Sequence, residues 1–288
     1  MTLTQQVNAV LAELTADIKD NKLSLLTPPD LLLEVRSFAA NTNSSIEDFS
    51  NLVKRDPNIS GRLIKVANSA LLGARIHVTS VKAAISRLGS TKVQSLVTSL
   101  VIAQNFLQSK THGLEDYFDH AWQQSNNVAA ISYALAITKT KLDPEQALLA
   151  GMVHNIGVLP IVLRLNQISS LKQDTKLLIQ VAGIVIPKLY PAAGKLILNN
   201  WNFSPVICQI AITHTGYNHS SDEITLNDII FLAYELNKLS DLTDISTFPD
   251  SLLSSHAFKK VWPEEGVAIE NLSELIDKID EIKSGITN

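Results

Sequence analysis

Apolar residues recur with the period of an α-helix along nearly the whole of this 288-residue chain, and that spacing limits the fold more than any other feature. Val7, Val10, Leu11, Leu14 and Ile18 mark one face of an N-terminal helix, and Leu272, Leu275, Ile276, Ile279 and Ile282 repeat the pattern near the other end. No convincing run of period-2 alternation interrupts it, and Ile184-Val185-Ile186 is too short to decide anything. Only 11 glycines and 10 prolines punctuate the chain, where average usage implies roughly 35. Long helices are favoured over many short strands, and the expected class is all-α.

The start signals agree. Ser44 with Glu47 has the form of a capping box, and Asp56-Pro57, Asp143-Pro144 and Ser204-Pro205 each set an N-cap residue before a proline suited to the first helical position. Gly89-Ser90 reads as a helix stop followed at once by a new N-cap, and Thr27-Pro28-Pro29 as the end of a first helix and the start of a compact set running to about Leu107. The polar stretch Ser109–Gly113 divides the chain best. The expected organisation is an N-terminal helix over 1–21, a helical lobe over 22–110, a second over 111–240 and C-terminal helices over 241–288. Apolar periodicity runs up to the boundary, so the lobes are expected to pack together as one multi-helix bundle.

Composition excludes several classes. Hydrophobic residues at 45% and charged residues at 18% give ample core and no signature of disorder. A net charge of −4 does not suit a general nucleic-acid binder. Cys208 is the only cysteine, which rules out an intramolecular disulfide and a cysteine zinc cluster. No signal-peptide pattern opens the chain, and the most apolar stretch, Leu177–Pro187, is too short to span a bilayer. A soluble, cytoplasmic protein without membrane or nucleic-acid partners is expected.

The segment from Asp143 to Gly157 carries a His154-Asn155 pair in a capped, strongly apolar helix stopped by Gly157. On the residues alone, His154 is best read as a neutral core imidazole satisfied by a local partner. With aspartate in place of Asn155, however, Leu149–Gly157 resembles the histidine–aspartate signature of the HD superfamily of metal-dependent phosphohydrolases. Earlier, Asp56-Pro57, Leu63–Gly73 (with Ala67-Asn68-Ser69-Ala70) and Ala84–Gly89 stand in the order found in the HDOD domain, the HD-related output domain of bacterial signalling proteins. The resemblance covers about Lys22 to Leu239. It implies an HD-like helical bundle in two lobes and a role in signal transduction or gene regulation.

It also implies where a metal site would lie. Hydrolytic members use a first histidine, the His-Asp pair, further histidines and a late aspartate. At the matching positions this chain has Gln124, His154 followed by Asn155, Tyr190, His214 and Tyr234, the placements of Tyr190 and Tyr234 being open by a residue. Divalent cations need deprotonated donors with carboxylate charge to balance them. Losing one unit charge about 4 Å from another forfeits on the order of 4 kcal/mol at an effective dielectric of 20. The expectation is a lost metal site: no cofactor, no catalytic residue, and a neutral hydrogen-bonded pocket of those six side chains between second-lobe helices. His120, one turn before Gln124, is the substitute ligand to consider with His154 and His214 if a divalent metal does bind.

Three functions follow. The first is a stand-alone, non-catalytic interaction module meeting a signalling protein in trans, its amphipathic terminal helices being candidates for that contact or for self-association as a homo-oligomer. The second is an atypical metal-dependent phosphohydrolase. The third is a sensor holding a small ligand in the former site. His77, His112, His219 and His256 read as loop or surface residues, Asn68-Ser69 as partners of backbone groups, and Cys208 as packing. Arg62, Lys65, Arg75, Lys82 and Arg87 read as a mildly basic solvated face.

Overall fold

A computed structural model describes residues 2–20, 22, 30–40, 45–68, 77–108, 113–216, 222–239, 241–263 and 269–287; side chains at 39, 40, 103, 105–108, 269–272 and 284–287 lie outside the description. Every regular element among the described residues is helical. The chain runs through α1 (Leu3–Lys19), α2 (Asp30–Ala40), α3 (Ile46–Val53), α4 (Pro57–Ala67), α5 (Val81–Leu88) and α6 (Ser90–Gln108). It continues with α7 (Glu115–Lys139), α8 (Pro144–Val153), α9 (Val158–Leu165), α10 (Ser169–Lys172), α11 (Thr175–Asn200), α12 (Pro205–Thr213) and α13 (Leu226–Leu236). A 3-10 turn at Ile245–Thr247 leads to α14 (Asp250–Leu253), α15 (His256–Val261) and α16 (Ile269–Thr287).

Caps set many of these boundaries. Asp56 accepts from the backbone N–H groups of Asn58 and Ile59 at 2.9 and 3.1 Å, and Asp143 from those of Glu145 and Gln146 at 2.9 and 3.3 Å. Such caps contribute about 1 kcal/mol each. The box before α3 falls one residue later than the sequence suggested: Ser45 and Asp48 bond reciprocally, because the aspartate at the third helical position reaches back to the Ser45 N–H at 3.1 Å. Ser44 lies outside the described residues, as do Thr27-Pro28-Pro29 and residues 109–112 of the expected boundary. Gly89 ends α5 at φ 85°, in the left-handed region, and α6 begins on Ser90 itself.

The core is centred on α7 and α8. α7 packs against α8, α9, α13 and α16, and α8 also meets α6 and α13. All of Ala147–Val153 is buried, so α8 is apolar all round, as a central helix must be. Gly151 permits this closeness: a Cβ there would fall 2.6 Å from the Ala129 Cα of α7. The N-terminal helix belongs to the same body. Val7, Val10 and Leu14 are buried, α1 packs on α11, and Arg164 of α9 binds Asp17 and Glu13 at 2.9 and 2.5 Å. At the other end Leu275, Ile279 and Ile282 of α16 are buried as their spacing predicts, and α16 lies on α7 and α4.

Two differences from the sequence reading stand out. The His154 helix does not run to Gly157 but ends at Val153, and residues 154–157 form a turn into α9. Gly157 sits so close to α11 that a Cβ would lie 2.0 Å from the Tyr190 carbonyl oxygen, so the chain changes direction where it crosses that helix. Second, the Leu177–Pro187 stretch is part of the 26-residue α11, which continues through Pro187 and Pro191. By length and composition two stretches meet the requirement for crossing a membrane: 144–165, whose apolar window is 89% buried in this fold, and Thr175–Asn200, whose window is 39% buried. The first is broken by the turn at 154–157. The second buries Val181, Val185, Ala193 and Ile197 in the core and leaves Ile179 and Ile184 exposed.

Candidate functional site

The turn after α8 delivers His154 and Asn155 into the buried interior between α7, α12 and α13, at 0% and 1% exposure. Asn155 faces α7. Its Nδ2 donates to the Ala121 carbonyl at 2.9 Å and to Gln124 Oε1 at 3.2 Å, and its Oδ1 accepts from the Ser125 hydroxyl at 2.6 Å. Ala121, Gln124 and Ser125 are three and four residues apart and share one face of α7, so a single helix supplies the whole lining around the amide.

His154 faces α12 and α13. Its Nδ1 lies 2.6 Å from the Gly151 carbonyl oxygen, which can only accept, so Nδ1 carries the proton and Nε2 is left as a bare lone pair. That nitrogen is buried with no hydrogen-bond partner among the described residues. The ring stands edge-on to His214, with centroids 5.0 Å apart, and 5.8 Å from Tyr234. His214 follows α12 and donates from Nδ1 to the Ile210 carbonyl at 2.9 Å. Its Nε2 therefore accepts, and the Tyr190 hydroxyl of α11 donates to it at 2.7 Å. Tyr234 of α13 closes the group 5.0 Å from His214.

All six residues singled out from the sequence thus meet in one place: Gln124 joins through Asn155, and Tyr190, His214 and Tyr234 through His154. The Tyr190 and Tyr234 side chains both face the histidines. His120 does not join them. It is exposed on α7, and among the described residues no three His, Cys, Asp or Glu side chains converge as a metal-holding group. Three further groups complete the cluster: the Ser125 hydroxyl, the Ala121 carbonyl and Lys238. Ser125 and the Ala121 carbonyl were legible from the helical period. Lys238 was not: it lies outside the matched motif, yet its Nζ sits 4.2 Å from the centre of the Tyr234 ring while pairing with Glu235 at 2.6 Å.

The electrostatics are those of a neutral site. Burial pushes the His154 imidazole down to about 3, with the neighbouring His214 acting the same way and the Gly151 carbonyl opposing. Burial likewise pushes His214 down to about 4 against its backbone acceptors. The Tyr190 phenol is pushed up by burial and by the Tyr234 phenol beside it. All are uncharged near neutral pH. A hard divalent cation does not fit this donor set. The Asn155 oxygen accepts from Ser125 and the His214 Nε2 from Tyr190, no carboxylate among the described residues belongs to the cluster, and of the two imidazoles His154 alone keeps an unpartnered ring nitrogen there.

The remaining candidates are structural. Asn68 donates to the Val78 carbonyl at 2.7 Å and accepts from the Val78 N–H at 2.8 Å, tying the end of α4 to the start of the next segment. Ser69, Arg75, His112 and His219 lie outside the described residues. His77 and His256 are exposed. Cys208 is buried, and its thiol is pushed up by desolvation, which makes it a poor nucleophile.

Comparison with known proteins agrees with this geometry. The family model for the HDOD domain matches residues 25–217. A protein of Treponema pallidum (strain Nichols) is 23% identical over 261 residues, which is 86% of this chain and 49% of that one, so the chain spans about half the length of that relative. Among solved structures, a candidate metal-dependent phosphohydrolase from Shewanella amazonensis SB2B superposes with a TM-score of 0.79 at 24% identity, covering 98% of this chain and 99% of its own. An HDOD domain protein from Geobacter sulfurreducens does so with a TM-score of 0.65 at 17% identity, covering 99% and 98%. A candidate signal transduction protein from Marinobacter aquaeolei VT8 gives 0.59 at 18%, covering 98% of this chain and 66% of its own. At such identities the likeness extends to the fold alone. The all-helical bundle, the ordered motifs and the family match over two thirds of its length establish that this chain belongs to the HDOD domain family.

Proposed function

We propose that this HDOD protein is a non-catalytic signalling module, a helical scaffold that engages a protein partner in the cytoplasm while its former metal site serves only to hold the second lobe together. The single observation that carries the reading is Asn155. An amide stands where hydrolytic relatives need a carboxylate, and each of its polar atoms is already bonded, to Ala121, Gln124 and Ser125. A hydrolytic site must bind a cation and polarise a water, and both require charge that this cluster lacks. The Marinobacter neighbour, named for signal transduction, supports the same direction.

Turnover tests it. The purified chain, incubated with a generic phosphodiester and a generic phosphomonoester in the presence of Mn²⁺, Mg²⁺ or Fe²⁺, is expected to show background hydrolysis, unchanged by His154→Ala. Metal-dependent turnover that His154→Ala abolishes would overturn the proposal.

One observation favours a second reading, a small ligand held in the same cluster. The unpaired His154 Nε2 is a buried acceptor that a donor group would satisfy, at a gain of about 1–3 kcal/mol over leaving it bare. A co-purifying small molecule whose loss lowers the melting temperature would support it.

A further inference from the structure

One long stretch of the chain carries no negative charge. Between Asp174 and Asp222 the sequence has no aspartate or glutamate, although the chain holds 28 of them and a net charge of −4, and it has three lysines there, Lys176, Lys188 and Lys195. That stretch builds α11 and α12. At about 100° per residue, Lys176, Ile184, Pro187, Lys188, Pro191 and Lys195 fall on one side of α11. Every one of them is exposed or half-buried. The surface continues onto α12: Lys195 Nζ donates to Gln209 Oε1 at 3.2 Å, and the exposed Val206 and Ile212 stand three residues to either side of Gln209.

Three features set this side apart. Among the described residues eight large apolar side chains are exposed, and Ile184, Val206 and Ile212 are three of them, so what is ordinary when scattered singly is gathered here into a patch. No carboxylate among the described residues pairs with Lys176, Lys188 or Lys195, which leaves the positive charge of the patch uncompensated. Finally, Pro187 and Pro191 have no N–H, so the carbonyls of Gly183 and Pro187 lack the donor that an uninterrupted helix would give them.

We infer that the α11–α12 surface is the docking site for an acidic amphipathic helix of another protein, its apolar face on Ile184, Val206 and Ile212 and its carboxylates at Lys188 and Lys195. Charge complementarity selects this occupant. A second copy of the same surface would bring lysines against lysines. An anionic bilayer is served by clusters of about four to eight basic residues, and this surface has three. Its apolar side chains are aliphatic, without the exposed Trp or Phe that interfacial helices insert, and lipid tails have no donor for the two carbonyls. A protein helix supplies apolar side chains at i, i+3, i+4 and i+7, acidic flanks and side-chain donors together. The inference rests on the reading of this chain as a partner-engaging module, yet the two fail separately: hydrolysis by the His154 cluster would leave this surface as it is, and an inert surface would leave the turnover result standing.

The test uses the full chain and a fluorescein-labelled helical peptide of about 18 residues, with leucines along one face and glutamates on both flanks, beside a twin whose flanks are lysine. Anisotropy is expected to show saturable binding of the glutamate peptide, weakening as salt is added, and none of the twin. Lys188→Glu combined with Lys195→Glu is expected to weaken the glutamate peptide on the order of tenfold or more, and Ile184→Ser about fivefold. Lys65→Glu, an equal change of charge on the exposed side of α4, is expected to leave it unchanged. Melting curves confirm that each variant is folded. No saturable binding by the wild-type chain would overturn the inference, as would equal binding of the two peptides or indifference to the double reversal. Sedimentation with phosphatidylserine vesicles lost in the double reversal, without peptide binding, would assign the surface to a membrane instead, and a dimer dispersed by Ile184→Ser would assign it to a second copy.

Discussion

The two halves of the buried cluster have solved the same problem in different ways. Both polar atoms of the Asn155 side chain are paired by a single face of α7. Around His154 two imidazoles and two phenols meet, and one nitrogen has no partner among the described residues. In an HD hydrolase both halves would face a cation. Here the Asn155 side chain is fully bonded, while the His154 ring keeps one nitrogen without a partner among the described residues. Replacing a carboxylate with an amide is easily accommodated where donors and acceptors lie at hand. An imidazole whose other nitrogen is fixed by a carbonyl cannot change which end it presents.

The largest effect expected from this contrast is in acid. Both imidazoles are depressed by burial, to about 3 for His154 and about 4 for His214. The unfolded chain takes up their protons near 6.5 while the folded chain does not, so stability is full above that value and falls as the pH drops toward 4. The pair contributes a loss on the order of 5 kcal/mol across that window. Urea unfolding of the wild-type chain at pH 7 and pH 4, beside His214→Gln, measures it; equal losses in the two proteins would show that the histidine half is not the acid-sensitive one.

Returning the charge to the other half comes next. In Asn155→Asp, a carboxylate oxygen replaces the Nδ2 that now donates to Ala121 and Gln124. Gln124 can turn its amide over, but the Ala121 carbonyl cannot become a donor. A loss of about 3 kcal/mol is expected by chemical denaturation at neutral pH, not recovered by added Mn²⁺. Recovery by the metal would mean that one carboxylate suffices to restore the site.

Tyr190→Phe removes the hydroxyl that donates to His214 and leaves a second bare Nε2, at an expected cost of about 2 kcal/mol. The smallest effect is Ser125→Ala, about 1 kcal/mol, since a neutral bond to the Asn155 oxygen is lost and the remaining bonds hold the amide. Melting temperatures rank the pair; the reverse order would show that the phenol is not held by His214.

Much of this was legible from residues alone, for identifiable reasons. Helix periods and caps are local, so α1, α4, α8 and α16 were readable from Val7–Leu14, Asp56, Asp143 and Leu275–Ile282. The six cluster residues were readable because each sits in a segment whose spacing resembles that of the HD motifs. The break at His154 was hidden because nothing local ends α8 at Val153; the cause is Gly157 meeting the Tyr190 carbonyl, a contact 33 residues away in sequence. The full length of α11 was not legible from the apolar stretch Leu177–Pro187, because packing on α1, α9 and α12 carries the helix on through Pro187 and Pro191. Lys238 escaped notice because its role, lying over Tyr234, depends on tertiary position.

The most direct measurement of the central claim is metal binding by the intact chain. Calorimetric titration with Mn²⁺ and Fe²⁺, with metal content measured on protein purified without supplementation, is expected to show no stoichiometric metal and no binding tighter than about 1 mM. Micromolar affinity at one site per chain, abolished by His154→Ala and by His214→Ala, would contradict it.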